Sequence, residues 1–129
     1  MNVLFIEDDP MNRRVVSDML DVAGATMTGA ESAEIGLKLI EENDYAIVLV
    51  DLRMPGMDGI TAIRHIRSRT DAKASLPIIV VTADTAVDLR ERCIAEGADE
   101  VLFKPVAMDA LFDAMGRLLA NGAGDGMIG

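Results

Sequence analysis

The chain has 129 residues and a mass of 13.8 kDa, the length of about one domain. A chain of this size buries roughly 68% of its unfolded surface, enough for a core without disulfide staples. Half of the residues are hydrophobic and mean hydropathy is +0.26, which excludes a disordered, solvating polypeptide. Acidic residues outnumber basic ones 22 to 12, for a net charge of −10 and a pI near 4.4. That balance excludes direct nucleic-acid binding as a first choice, because phosphate must be neutralised by Lys and Arg. Arg64, Arg67 and Arg69 are the densest basic cluster and read as one solvated helix face. No apolar run approaches the ~20 residues of a membrane span, and no basic amphipathic stretch suits a membrane surface. The start Met1-Asn2-Val3-Leu4-Phe5 carries no secretory pattern. With a single cysteine, Cys93, there is no intrachain disulfide and no four-cysteine zinc site. The cytoplasm is the expected compartment.

The first strand is expected over 3–6, where Val, Leu, Phe and Ile run without interruption. Asp9 as N-cap and Pro10 at the first helical position open a helix over 10–23, with Val16, Met19, Leu20 and Ala23 as its inward stripe and Gly24 as its stop. A weaker, more polar segment, 26–28, reads as an edge strand. A second helix covers 32–42, in which Gly36 costs about 1 kcal/mol against alanine. Unbroken aliphatic strands follow at 46–50, 78–81 and 101–103, with helices at 58–68, 85–96 and 108–120. Cys93, Phe103 and Phe112 are assigned to apolar packing, and Leu111, Ala114, Met115 and Leu118 to the inward face of the last helix. Strands buried on both faces belong to a parallel sheet covered by helices. Five βα units therefore predict a doubly wound α/β domain over 1–120, with strand order 2-1-3-4-5 and a glycine-rich, flexible tail over 121–129.

In open parallel sheets, ligands bind beyond the carboxyl ends of the strands. The residues found there are Glu7, Asp8 and Asp9 after the first run, Asp51 after the third, Thr82 after the fourth and Lys104 after the fifth. One strand-end aspartate is usually a turn former or cap; convergence of this whole set on one edge is the stronger signal. At ~4 Å and an effective dielectric near 20, each close carboxylate pair repels by about 4 kcal/mol. A raised pKa, a bound cation or a lysine counter-charge relieves it. Hard oxygen ligands favour Mg²⁺, and the absence of a twelve-residue calcium loop makes Ca²⁺ the lesser choice. Carboxylates, a hard metal, a hydroxyl and a lysine at one strand end make a phosphoryl-transfer site, with Asp51 as the nucleophile that forms an acyl phosphate.

Glu7-Asp8, the stretch from Asp51-Leu52-Arg53-Met54-Pro55 to Gly59, Thr82-Ala83 and Lys104-Pro105 together resemble the receiver domain of two-component response regulators, in order and spacing, from Val3 to about Ala120. The resemblance implies that Asp51 is the phospho-acceptor, charged by a histidine kinase or a histidine phosphotransfer protein. It implies Mg²⁺ held directly by Asp8 and Asp51, through water by Glu7, and by the backbone carbonyl of Arg53. Thr82 is then the hydroxyl that moves toward the phosphoryl group, Lys104 its salt-bridge partner, and the bond before Pro105 cis. The chain departs from the pattern at Val101, where receivers commonly carry an aromatic switch residue. A different or weaker readout to a downstream protein, through the face of the fourth helix, fifth strand and fifth helix, is therefore expected. Arg53 and Asp84, each two residues past a key strand-end residue, are expected to pair over the phosphoryl group and alter its lifetime, although an exposed pair contributes only ~0–1 kcal/mol.

The function expected is that of a single-domain response regulator, not an enzyme in its own right; the alternative is a receiver segment of a hybrid kinase. Whether modification drives a homodimer stays open at this level. An aspartate-nucleophile phosphatase of the haloacid dehalogenase kind would need a second Asp where Arg53 stands, and a flavodoxin-like cofactor binder would have its phosphate repelled by Glu7-Asp8-Asp9. Gly124, Gly126 and Gly129 match a dinucleotide fingerprint formally but follow no strand. His65, the single histidine, reads as a solvated helix residue.

Overall fold

Aliphatic runs too short for helices pair side by side into a five-stranded sheet in which every pairing is parallel. The strands are β1 (Asn2–Ile6), β2 (Thr26–Ala30), β3 (Ile47–Asp51), β4 (Ile78–Thr82) and β5 (Glu100–Phe103), in the expected order β2-β1-β3-β4-β5. The helices are α1 (Pro10–Val22), α2 (Ala33–Glu42), α3 (Gly59–Arg67), α4 (Leu89–Glu96) and α5 (Met108–Ile128). This computed structural model describes residues 1–128, with side-chain surroundings for 1–120. The tail expected over 121–129, with Gly124, Gly126 and Gly129, lies outside that second range.

Strand residues alternate between two apolar layers, as the period of two demands. Leu4, Ile6, Val48, Val50, Ile78, Val80 and Val101 pack under α2, α3 and α4, against Ile40, Ile63, Ile66, Leu89 and Cys93. Val3, Phe5, Ile47, Leu49, Ile79 and Val81 pack under α1 and α5, against Val16, Leu20, Leu111, Ala114 and Met115. Met19, Phe112 and Leu118 are half-buried at the edge of that second layer. Ala23 is exposed rather than inward, because α1 ends at Val22 and Ala23 is its C-cap.

Local chemistry sets the helix starts. Asp9 caps α1 by accepting the Met11 N–H at 2.9 Å, Pro10 following at the first helical position. Ser32 and Asp58 cap α2 and α3 through the N–H groups of Ile35 and Thr61. The fourth helix starts at Leu89, not at Thr85 as expected. Thr82 Oγ1 accepts the Asp84 N–H at 3.1 Å and Asp84 Oδ1 accepts the Ala86 N–H at 3.0 Å. These local bonds give the backbone a turn in place of a helix.

Gly36 is required by packing. A Cβ there would lie 2.5 Å from Ile6 Cδ1 and 2.6 Å from its Cγ1, and Ile6 is fully buried. Gly36→Ala is therefore expected to lower stability by ~1–2 kcal/mol in denaturant melts, although alanine is the better helix former.

Two expectations are corrected here. Phe103 is 45% exposed: β5 is an edge strand, α4 is too short to cover its last residue, and the ring stays at the surface. The arginines do not form one solvated face. Arg69 lies beyond α3, and Arg67 turns inward to donate to the carbonyls of Gly97, Ala74 and Leu76 and to Asp99.

Glu100, on β5, ties α4 to α5. It is buried and bonds Arg90 at 2.9 Å, Arg117 at 3.2 Å and the Val101 N–H at 3.0 Å. Burial pushes its carboxyl up, but the Val101 N–H and the two guanidinium groups outweigh burial, and its pKa lies below the ordinary value. A carboxyl depressed by folding stabilises above its unfolded pKa and loses that contribution as pH falls through the folded one. Chemical melts of the wild type should thus weaken from pH 5 downward, and Glu100→Gln should flatten that slope while costing ~1–3 kcal/mol at pH 7.

Candidate functional site

Four neighbouring strands end at one edge, and each delivers a polar group there. Glu7 and Asp8 follow β1, Asp51 ends β3, Thr82 ends β4 and Lys104 follows β5. Together with Asp9, Asn12, Arg53 and Ala83 they line a cavity of about 330 Å³. Glu7 and Thr82 are fully buried, Asp51 is 5% exposed and Asp8 lies open to solvent. The floor is thus protein and the mouth is wet.

Carboxylate oxygens of Glu7, Asp8 and Asp51 all lie within 4.8 Å of one another. Lys104 Nζ reaches between two of them, 2.7 Å from Glu7 Oε1 and 3.3 Å from Asp51 Oδ2. Asp51 Oδ1 accepts the Arg53 N–H at 3.3 Å. Burial, then the nearby Asp51 carboxylate, pushes the Glu7 carboxyl above its ordinary pKa in spite of Lys104. Burial opposes the charge on Lys104 too, yet Glu7 and Asp51 together hold its pKa up.

Glu7 Oε2 is buried and, among the described residues, has no hydrogen-bond partner. An orphaned carboxylate oxygen is costly unless a cation or water meets it. Three carboxylates and one ammonium leave two negative charges, which a single divalent cation balances. An all-oxygen donor set, one member facing solvent, suits a hard ion that keeps part of its water. The residues present therefore fit Mg²⁺.

Of the remaining expected residues, the Lys104–Pro105 bond is cis. Val101 is buried opposite Val80, and the Phe103 backbone pairs with Thr82 across the β4–β5 ladder. Arg53 and Asp84 do pair, at 3.0 Å, the arginine side chain 76% exposed and the aspartate 23%. His65 is exposed on α3 and is not part of the acidic cluster of Glu7, Asp8 and Asp51. Two contributors escaped the sequence reading. Asn12 Nδ2 donates to Glu7 Oε1 at 2.9 Å, and Arg13 donates to the Glu7 carbonyl at 2.6 Å. Arg13 reaches it by passing over Gly29, where a Cβ would lie 2.8 Å from its Cδ. Their signal was present as polar residues in the first turn of a helix whose N-cap sits beside the acidic pair.

The family model for the response regulator receiver domain matches residues 3–116. The chain belongs to that family. It is 36% identical over 111 residues to the sensor histidine kinase RcsC of Salmonella typhi, covering 86% of this chain and 11% of the kinase. It is 36% identical over 115 residues to the response regulator protein FleR of Pseudomonas aeruginosa, covering 89% of this chain and 24% of that protein. The chain thus spans between about a tenth and a quarter of these relatives. Among solved structures, the receiver domain of sensor histidine kinase PA1611 from Pseudomonas aeruginosa, described with a magnesium ion coordinated in the active site cleft, superposes with a TM-score of 0.83 at 30% identity, covering 92% of this chain and 97% of that one. The receiver domain of Francisella response regulator 1452 gives 0.85 at 25% identity, over 94% and 98% of the two chains.

Proposed function

We propose that Asp51 accepts a phosphoryl group from a phosphohistidine on a histidine kinase or histidine phosphotransfer protein, and that the modified domain signals to a downstream protein. The observation that carries this reading is the buried, unpartnered Glu7 Oε2 beside Asp8 and Asp51, with Lys104 bridging the same carboxylates. Asp8, Asp51 and the Arg53 carbonyl would hold Mg²⁺ directly, with Glu7 acting through water; the ion supplies positive charge to the equatorial phosphoryl oxygens. An Asp51 carboxylate oxygen attacks phosphorus as the P–N bond to imidazole breaks, and the departing nitrogen takes a proton from solvent. Lys104, drawn from the carboxylates, holds one phosphoryl oxygen, and the Thr82 hydroxyl donates to another. The protein is an acceptor consumed once per cycle, not a turning-over enzyme, and it works in the cytoplasm. Among the described residues no helix is long and apolar enough to cross a membrane.

The donor docks beside the cavity mouth. Val15 of α1 is 43% exposed, and with Val16, Pro105 and Val106 it lines a neighbouring apolar recess. Val15→Glu is expected to slow transfer from a protein donor by ~10-fold or more and to leave labelling by acetyl phosphate unchanged. Equal slowing with both donors overturns this placement.

A second reading concerns the whole protein. RcsC, a sensor histidine kinase, matches over about a ninth of its length, so the domain also fits a receiver segment that takes its phosphoryl group within a longer kinase. The test common to both readings is intact-mass analysis after acetyl phosphate and Mg²⁺. One added phosphoryl group, lost with EDTA present during the reaction and released by hydroxylamine, is expected; steady release of phosphate without a labelled protein would favour the phosphatase reading.

A further inference from the structure

Arg53 stands between two sets of partners. Its side chain borders the acid cavity with Asp51, Thr82 and Lys104, and also a second cavity of about 250 Å³ with Ala83, Asp84 and Thr85. In the unmodified protein its guanidinium bonds Asp84 at 3.0 Å. Asp84 in turn holds the turn before α4 at three points: the Arg53 bond, the Ala86 N–H on Oδ1, and its own N–H given to Thr82 Oγ1. The hydroxyl expected to move on modification and the guanidinium of a residue that lines the acid cavity therefore meet on one residue.

We propose that Arg53 is a phosphoryl-binding residue that exchanges partners, leaving Asp84 for the oxygens of a phosphoryl group on Asp51, so that the turn over 82–86 loses two of its three ties at once. The exchange rests on the reading of Asp51 as phospho-acceptor. Arg53 is anchored two residues from Asp51, and its side chain is 76% exposed, so little packing resists its movement. An exposed ion pair with one carboxylate is weakly held. A phosphoryl group adds roughly 1.5–2 negative charges and three acceptor oxygens, and the guanidinium fork meets two of them in parallel. The better acceptor takes the cation. Release of Asp84 loosens the segment leading into α4, whose first residues have no side-chain cap of their own. The route matters because Val101 is a small, buried aliphatic residue and offers no ring to carry the signal along β5.

The test is beryllofluoride, a phosphoryl mimic, titrated with Mg²⁺ into the wild type, Arg53→Gln and Asp84→Asn. Asp84→Asn keeps the oxygen that accepts the Ala86 N–H, so the turn survives while its hold on Arg53 is cut. Arg53→Gln is expected to weaken binding about 5- to 10-fold, and Asp84→Asn to tighten it about 2- to 5-fold by freeing Arg53. Backbone exchange at Asp84 and Ala86 should quicken at least about threefold on beryllofluoride binding in the wild type and hardly change in Arg53→Gln. Weakening in both variants, or an unchanged affinity in Asp84→Asn, overturns the exchange. A wild type that binds no beryllofluoride and takes no label overturns the phospho-acceptor reading instead, so the two failures are told apart.

Discussion

Asp51→Asn loses phosphoryl uptake by about 100-fold or more from any donor while remaining folded. An amide nitrogen or carbonyl oxygen is a poor nucleophile for phosphorus, and no neighbouring carboxylate can substitute: Glu7 is buried and bonded to Lys104 and Asn12, and Asp8 lies at the solvent side. The substitution also removes one of three anions whose oxygens share a 4.8 Å neighbourhood. Lys104 keeps its 2.7 Å bond to Glu7, so the relief of repulsion outweighs the longer 3.3 Å contact that is lost. The variant should melt at or above the wild-type temperature, which separates loss of chemistry from loss of fold. Label at wild-type yield in this variant would defeat the assignment of Asp51, and the remaining acid residues would have to be searched by peptide mapping.

Arg67→Ala carries the largest expected cost to stability, ~3–4 kcal/mol, or roughly 10 °C in Tm. Its guanidinium donates at 2.8 Å to the Gly97 carbonyl, at 2.7 Å to those of Ala74 and Leu76, and at 3.0 Å to Asp99. Asp99 Oδ2 also accepts the Ile78 N–H at 2.8 Å, so the same network fixes the start of β4. The arginine stem covers Gly97, where a Cβ would lie 2.7 Å from Arg67 Cγ and where φ is +119°. Truncation leaves several carbonyls of the α3–α4 side short of a donor. Arg67→Lys should recover less than half of the loss, because a point ammonium cannot serve divergent acceptors as the planar fork does. A loss below ~1 kcal/mol would mean that water replaces the fork without penalty. At 10 °C, where the variant stays folded, Asp51 labelling should match the wild type, since Arg67 lies outside the acid cavity.

The contrast between Asp51 and Arg67 shows what kind of information a linear chain holds. Asp51 was legible because it ends an aliphatic run, and every strand of a parallel sheet points its carboxyl end to the same edge. Thr82, Lys104 and the Glu7-Asp8 pair follow from the same rule. Arg67 carries no sign of its inward role in the sequence, because its acceptors are backbone carbonyls at positions 74, 76 and 97, which no residue type announces. Phe103 was misplaced for a related reason: a hydrophobic residue predicts burial only where something lies above it, and α4 begins four residues later than its composition suggested.

The sequence by itself determined the doubly wound sheet and its order, the N-cap at Asp9, and the identity of the acid cluster. Each depends on local periodicity or on the one-directional geometry of parallel strands. Only the tertiary structure decided that Glu7 is the buried member with an unpartnered oxygen, that Asn12 and Arg13 support it, and that Gly36 makes room for Ile6. It also decided that Arg53 meets Asp84. Those facts turn on which groups from distant segments come within a few ångströms, and burial and charge act through distance in space, which spacing along the chain does not encode.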